Sequence, residues 1–182
     1  MVELASLWLP IMITGFALFF ASFVAWMVLQ LHKNDWNKVP NEVGFMDGVR
    51  KHNLPPGNYM FPMAGDAKEQ QSPEFQQKFQ KGPAGTMSIY PPVSMGKNLG
   101  LTFLYFLATA ACLAYLATLA PPTGAGFLPV FRFVATAALM VYLSAMIPQS
   151  IWFKNRIVGH VIESVAFAII AGAIFAGFRP AS

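Results

Sequence analysis

The stretch Arg156–Phe178, RIVGHVIESVAFAIIAGAIFAGF, decides how the rest of the chain is interpreted. It is long and apolar enough to cross a bilayer, since about 20 apolar residues span the roughly 30 Å of hydrocarbon. Its first two turns nevertheless contain His160 and Glu163. Ionisable side chains inside such a span are costly, which makes them markers of function. The stretch therefore predicts a membrane helix that carries a candidate site.

The composition of the whole chain indicates an integral membrane protein. Of its 182 residues 55% are hydrophobic and only 11% are charged, whereas about 25% are charged in soluble domains. The single cysteine, Cys112, excludes an intrachain disulfide and a Cys-x-x-Cys metal motif. The net charge of +4 does not indicate nucleic-acid binding, because six acidic residues are interspersed with the bases of the polar segment.

Four transmembrane helices are expected, packed as a small all-α bundle. The predicted spans are residues 7–31, 99–119, 127–147 and 156–178. The first span follows a segment with Glu3 and no Lys or Arg, so we interpret it as a retained helix and not a signal peptide. The expected organisation is a first transmembrane helix (1–31), a polar extramembrane insert (32–98) and a three-helix transmembrane region (99–182).

The insert is rich in proline and charge, which excludes it from lipid. Two short helices are predicted within it. One covers residues 42–52 with Asn41 as its N-cap. The other has Ser72 as N-cap, Pro73 at its first position and Gly82-Pro83 as its stop. Residues 59–63 and 86–90 are expected to be short extended pieces.

Small residues recur at helical spacing in the predicted spans, which is typical of helices that approach each other closely. The partner helix could belong to this chain or to another subunit. The recurring small residues are Ala17, Ala21 and Ala25; Ala110, Ala114 and Ala117; and Ser164, Ala168, Gly172 and Ala176.

The distribution of bases predicts an orientation in the cell membrane. Eight of the twelve Lys and Arg residues lie in residues 32–97, and Lys154 and Arg156 lie in the turn before the last span. The opposite side has only Arg179 and Arg132. Because bases accumulate on the cytoplasmic side, we expect the insert in the cytoplasm and both termini outside the bacterial inner membrane.

An intramembrane polar cluster is predicted near the cytoplasmic boundary. Arg156, His160 and Glu163 follow helical steps on one face, and the ends of the first and third spans bring further polar residues to the same level. Two interpretations stay open. In the first, the cluster is functional and serves as a proton or cation relay or as a ligand pocket. In the second, it is structural and serves as an interhelical hydrogen-bond lock with Arg156 as counter-ion. The predicted members are His160, Glu163, Arg156, His32 and Gln149.

Two further residues are predicted to contact lipid or a partner. Arg132 lies within the third span, where its side chain is expected to reach the headgroups or to pair with a partner subunit or anionic lipid. Trp152 lies beside Lys154, a composition typical of the membrane interface.

No catalytic motif, metal site or cofactor is predicted. His32 and His160 would meet at one membrane surface, but the histidine quartet of a b-type haem bundle is absent, so haem is not expected. Met60-x-x-Met63 near His52 resembles soft copper ligation, but ten methionines make such spacing common. We expect a non-catalytic subunit or accessory factor of a bacterial inner-membrane complex. The alternative is a small oligomeric transporter or proton- or cation-conducting protein using the Arg156/His160/Glu163 face.

Overall fold

A computed structural model describes residues 3–122 and 124–178. The chain is mostly helical, at 68%. It divides into two compact units: residues 1–37 with 95–182, and residues 38–94. The elements, in chain order, are α1 (Trp8–Phe23), α2 (Glu42–Lys51), β1 (Gly57–Phe61), α3 (Ala67–Gln70), α4 (Pro73–Lys81), β2 (Gly85–Ile89), α5 (Met95–Leu119), α6 (Phe127–Leu143), α7 (Met146–Phe153) and α8 (Val158–Phe178).

Four helical stretches are long and apolar enough to cross a membrane, which confirms the number of spans predicted from the sequence. Five of their boundaries differ from the prediction. The first and second stretches begin earlier, at Leu4 and Met95. The first stretch ends at Val28 and not at residue 31, the third continues to Phe153, and the fourth begins at Val158, after Arg156. The observed stretches are Leu4–Val28, Met95–Leu119, Phe127–Phe153 and Val158–Phe178.

The third stretch is interrupted between α6 and α7. A proline inside a helix removes one hydrogen bond and clashes with the carbonyl four residues earlier. For Pro148 that carbonyl belongs to Ser144, the residue at which α6 has just ended. Since α7 begins at Met146, Pro148 lies in the first turn of the new helix, where proline is tolerated.

The membrane-spanning helices of the first unit pack as a four-helix arrangement. Helix α1 packs against α5 and α8, and α6 packs against α8 and α5. The larger buried core lies between these helices and includes Leu7, Leu113, Val134 and Phe175. A second, smaller core consists of Leu18, Phe106 and Phe167.

Seven of the ten small residues predicted to mediate close helix contacts are buried in this chain, Ala25 among them, whereas Ala17, Ala21 and Ala176 are partly exposed. Ala110, Ala114 and Ala117 are buried, as are Ser164, Ala168 and Gly172. At Gly172 an added Cβ would lie 2.9 Å from the Cβ of Ala135 and 3.0 Å from the ring of Phe131. Helices α6 and α8 are therefore in closest approach at this glycine.

The second unit, residues 38–94, contains the two predicted short helices and a two-stranded antiparallel sheet that an all-α fold class leaves out. The sheet pairs Gly57 with Ile89 and Phe61 with Gly85, so the extended pieces begin slightly earlier than predicted. The Ser72 hydroxyl accepts a hydrogen bond from the Phe75 amide at 3.1 Å, which caps α4. Asn41 caps α2 in the same way.

The close contact at Gly172 generates a stability prediction. Gly172→Leu should lower the free energy of unfolding in detergent by about 1–3 kcal/mol, because the added side chain overpacks the α6–α8 contact. Gly177→Leu on the same helix is the control, since nothing lies within 4 Å of a Cβ at that position. Equal thermal stabilities of the two variants would contradict the α6–α8 packing.

Candidate functional site

The C-terminal end of α1 turns the chain back towards α8. Residues Val24–Val28 form a π-helical turn, in which the Leu29 amide donates to the Val24 carbonyl at 2.8 Å. The Leu31 amide then donates to the Ala25 carbonyl at 3.0 Å, across Gln30 at a positive φ of 50°. Wide turns of this kind end helices and often occur at functional sites. The result is that His32 is buried, with 3% of its surface exposed.

The His32 ring is held between two aromatic neighbours. The Trp26 indole stacks on it with ring centroids 4.1 Å apart, and the His160 ring lies 4.5 Å away. Gly159 makes room for this arrangement. A Cβ at residue 159 would lie 2.9 Å from the Leu31 carbonyl oxygen and 3.1 Å from the His32 ring. A glycine is therefore required where α8 passes the turn.

Four ionisable side chains, here called the His32 cluster, meet at this junction: His32, Asp35, His160 and Glu163. His32 Nδ1 lies 2.7 Å from Asp35 Oδ2, and His32 Nε2 lies 3.2 Å from Glu163 Oε2. His160 Nε2 lies 3.8 Å from the same Asp35 oxygen. The exposed fractions of the carboxylate side chains are only 13% for Asp35 and 11% for Glu163.

The two hydrogen bonds of His32 require an additional proton in the cluster. A neutral imidazole donates through one nitrogen only, and an ionised carboxylate only accepts. Since both nitrogens of His32 face a carboxylate oxygen, either the imidazole is protonated or one carboxyl group is. Two carboxylates removed from water need a compensating cation in any case. The cluster therefore holds at least one proton more than two neutral imidazoles and two ionised carboxylates would carry.

The two carboxylates of the cluster line two adjoining pockets, which share Leu31 and Ile162 as walls. Asp35 lines a pocket of about 390 Å³ together with Asn34 and Arg156. Glu163 lines a pocket of about 320 Å³ whose other walls are apolar residues such as Val24 and Phe167. The second Glu163 oxygen, Oε1, is buried and has no hydrogen-bond partner among the described residues. His32 lines neither pocket and joins the carboxylates of both.

The structure brings three of the five predicted polar residues together and leaves two out. His160, Glu163 and His32 belong to the cluster. Arg156 was predicted on the same helical face, but it precedes α8, is exposed, and forms no salt bridge with any residue of 3–122 or 124–178. It contributes to the wall of the Asp35 pocket instead. Gln149 is exposed on α7, which is a separate helix that begins at Met146, after the end of α6.

Two residues of the site were missed from the sequence, Asp35 and Trp26. Asp35 lies three residues after His32 in a segment whose polar composition resembles an exposed loop. The spacing His-x-x-Asp directly after an apolar span was the available signal. The predicted lipid or partner contacts, Arg132 and Trp152, are both exposed, Trp152 at 80%. Arg179, which was counted in the predicted orientation, lies outside the described residues.

The four apolar helices and the buried cluster at one end define the class as a membrane-embedded helical protein with a polar site. No family model matches the chain, and neither the curated proteins nor the solved structures include a significant match. The function therefore has to be inferred from the geometry of the His32 cluster.

Proposed function

We propose that this chain is a proton-transferring membrane protein in which Asp35, His32 and Glu163 pass a proton between two pockets. The observation that carries the proposal is the position of His32. Its two ring nitrogens contact two carboxylates, and each carboxylate lines a different pocket. An imidazole takes up a proton at one nitrogen and releases one from the other, which is the chemistry of a proton shuttle.

The distances suit this transfer. Both contacts of His32, at 2.7 and 3.2 Å, are within the range in which protons move between oxygen and nitrogen. Asn34 and Arg156 give the Asp35 pocket polar walls, which favour access of water. The Glu163 pocket is otherwise apolar, so Glu163 delivers or receives the proton away from bulk solvent.

Several hydroxyl groups are buried inside the bundle. The side chains of Thr14, Thr109 and Ser164 are buried, and the hydroxyl oxygen of Tyr142 is also removed from solvent. Tyr142 contacts the ring of Phe167, one helical turn after Glu163, at a centroid distance of 5.2 Å. The Thr109 hydroxyl donates to the Tyr105 carbonyl at 2.8 Å, and the Thr14 and Tyr142 hydroxyls have no partner among the described residues, so the proposed transfer uses only Asp35, His32 and Glu163.

Proton flux into vesicles containing a pH-sensitive dye tests the proposal. With a membrane potential applied, the wild-type protein should acidify the lumen faster than empty vesicles do. Glu163→Gln and Asp35→Asn should each reduce the rate to that of empty vesicles, because an amide cannot carry the proton. Asp47→Asn removes a carboxylate from an exposed ion pair with Arg50 and should leave the rate unchanged.

Thermal stability measured on the same samples separates the relay from a structural lock. A lock predicts that Glu163→Gln lowers the melting temperature and leaves proton flux as in the wild type. That pair of results, or wild-type flux no faster than in empty vesicles, would reject the relay.

The orientation we propose places residues 32–97 in the cytoplasm and both termini outside the bacterial inner membrane, since most bases lie in the insert. Cysteine labelling checks it in a background in which Cys112→Ala removes the native thiol. A membrane-impermeant maleimide should label Ser182→Cys in intact cells and Lys68→Cys only after permeabilisation. The reverse pattern would invert the proposed orientation.

A second candidate function, an accessory subunit of a bacterial inner-membrane complex, is favoured by the insert. Helix α2 exposes Val43, Phe45 and Met46, an apolar surface of the kind that partners cover. Mild extraction of the native membrane followed by size analysis should then recover stoichiometric partner subunits. Val43→Ser with Met46→Ser should release them, whereas Lys51→Ser, also exposed on α2, should not. Recovery of the chain alone after mild crosslinking would exclude this candidate.

A further inference from the structure

We propose that His32, His160 and Glu163 bind a divalent transition-metal ion of the zinc class. One ligand atom from each of the three side chains lies within 4.8 Å of those of the other two. Two imidazoles and a carboxylate are a ligand set that zinc uses in proteins, with one further position left for water or another molecule. This inference does not depend on proton transfer, because metal binding and proton flux are measured separately.

The distances within the cluster are close to those around a bound ion. Ligand atoms about 2.0–2.1 Å from a tetrahedral metal lie roughly 3.3 Å from one another. His32 Nε2 and Glu163 Oε2 are 3.2 Å apart, so an ion fits between them with little movement of either side chain. The His160 ring has to move by at most about 1.5 Å to complete the set, given the 4.8 Å limit.

Asp35 has the position of a residue that orients a metal-binding histidine. Asp35 Oδ2 lies 2.7 Å from His32 Nδ1. In a neutral imidazole whose Nδ1 donates to this carboxylate, Nε2 has the electron pair that binds a metal, on the side of Glu163. Histidines that bind metals commonly donate their other ring N–H to a carboxylate, which fixes the ring and strengthens the ligand. Asp35 is thus a positioning residue and not a ligand.

The charges and the chemistry of the ligands favour a transition metal. A divalent ion balances the two buried carboxylates of the cluster, and Glu163 Oε1, which has no partner among the described residues, is available as a second oxygen ligand. Imidazole nitrogens select zinc, cobalt, nickel and copper, whereas magnesium and calcium prefer oxygen ligands only. Binding also uses the Nε2 electron pair, so a bound ion and a transferred proton exclude each other at His32.

Metal titration of the purified full-length chain, stripped with a chelator, tests the site. Equilibrium dialysis should give one zinc ion per chain, and cobalt(II) should give the visible absorption of a tetrahedral site. Glu163→Gln and His160→Gln should abolish both signals. Asp35→Asn should weaken binding by about 10–100-fold. His52→Gln, which changes a histidine outside the cluster, should bind as the wild type does.

Trp26 gives a second measurement that requires no change to the ligands. Because its indole stacks on His32, stoichiometric cobalt(II) should quench part of the tryptophan fluorescence of the wild type. Trp26→Phe should remove that quenching while the absorption of the cobalt site remains. The site is rejected if the wild type binds less than one equivalent, or if Glu163→Gln and His160→Gln bind as the wild type does. The latter result would mean that metal binds elsewhere.

Failure of this inference is distinguishable from failure of the proposed function. If the chain binds zinc stoichiometrically but conducts no protons, the metal site is supported and the proton relay is rejected. Wild-type proton flux without metal binding gives the opposite result. If both properties are present, zinc should inhibit proton flux in proportion to its occupancy of the site.

Discussion

The burial of His32 between two carboxylates is the interaction on which the rest of this site depends. An imidazole that contacts Asp35 at 2.7 Å and Glu163 at 3.2 Å ties the turn after α1 to the second turn of α8. The turn reaches that position because α1 ends in a π-helical turn and because residue 159 is a glycine. With any larger residue at 159 the turn would be displaced, and the carboxylates would be buried without their common partner, which costs several kcal/mol per ion.

Much of the architecture could be predicted from the sequence because its physical causes are local. The four spans follow from length and hydropathy, and α4 follows from Ser72, Pro73 and Gly82, which act within one turn of the helix they delimit. Helix boundaries were less predictable where the residue that ends a helix lies several positions beyond that end. Pro148 ends α6 four residues upstream of itself, so Gln149, which the sequence predicts just after a single span, lies on the separate helix α7.

The candidate site was predictable only in part, because two of its members come from a segment with the composition of a loop. His160 and Glu163 stand out as ionisable residues in an apolar helix, and the prediction that His32 joins them depended only on its place after the first span. Asp35 had no such signal, since Asp after a membrane helix is ordinarily solvated. Its burial follows from the fold-back at Gln30, a conformation that neither composition nor periodicity specifies for a non-glycine residue.

The packing of the small residues bears on the choice between the two proposed functions, proton transfer and an accessory subunit. Stripes of small residues fit an accessory subunit only if another chain uses them, and here α6 covers the stripe of α8 at Gly172. The His32 cluster also has a structural effect, since it joins the turn after α1 to α8. Within residues 3–122 and 124–178, the carboxylates of the cluster form salt bridges with histidine only. Two hydrophobic residues of similar volume would join the helices at lower cost. Two carboxylates and two imidazoles in contact are, by contrast, the groups that the proposed proton transfer and metal binding both require.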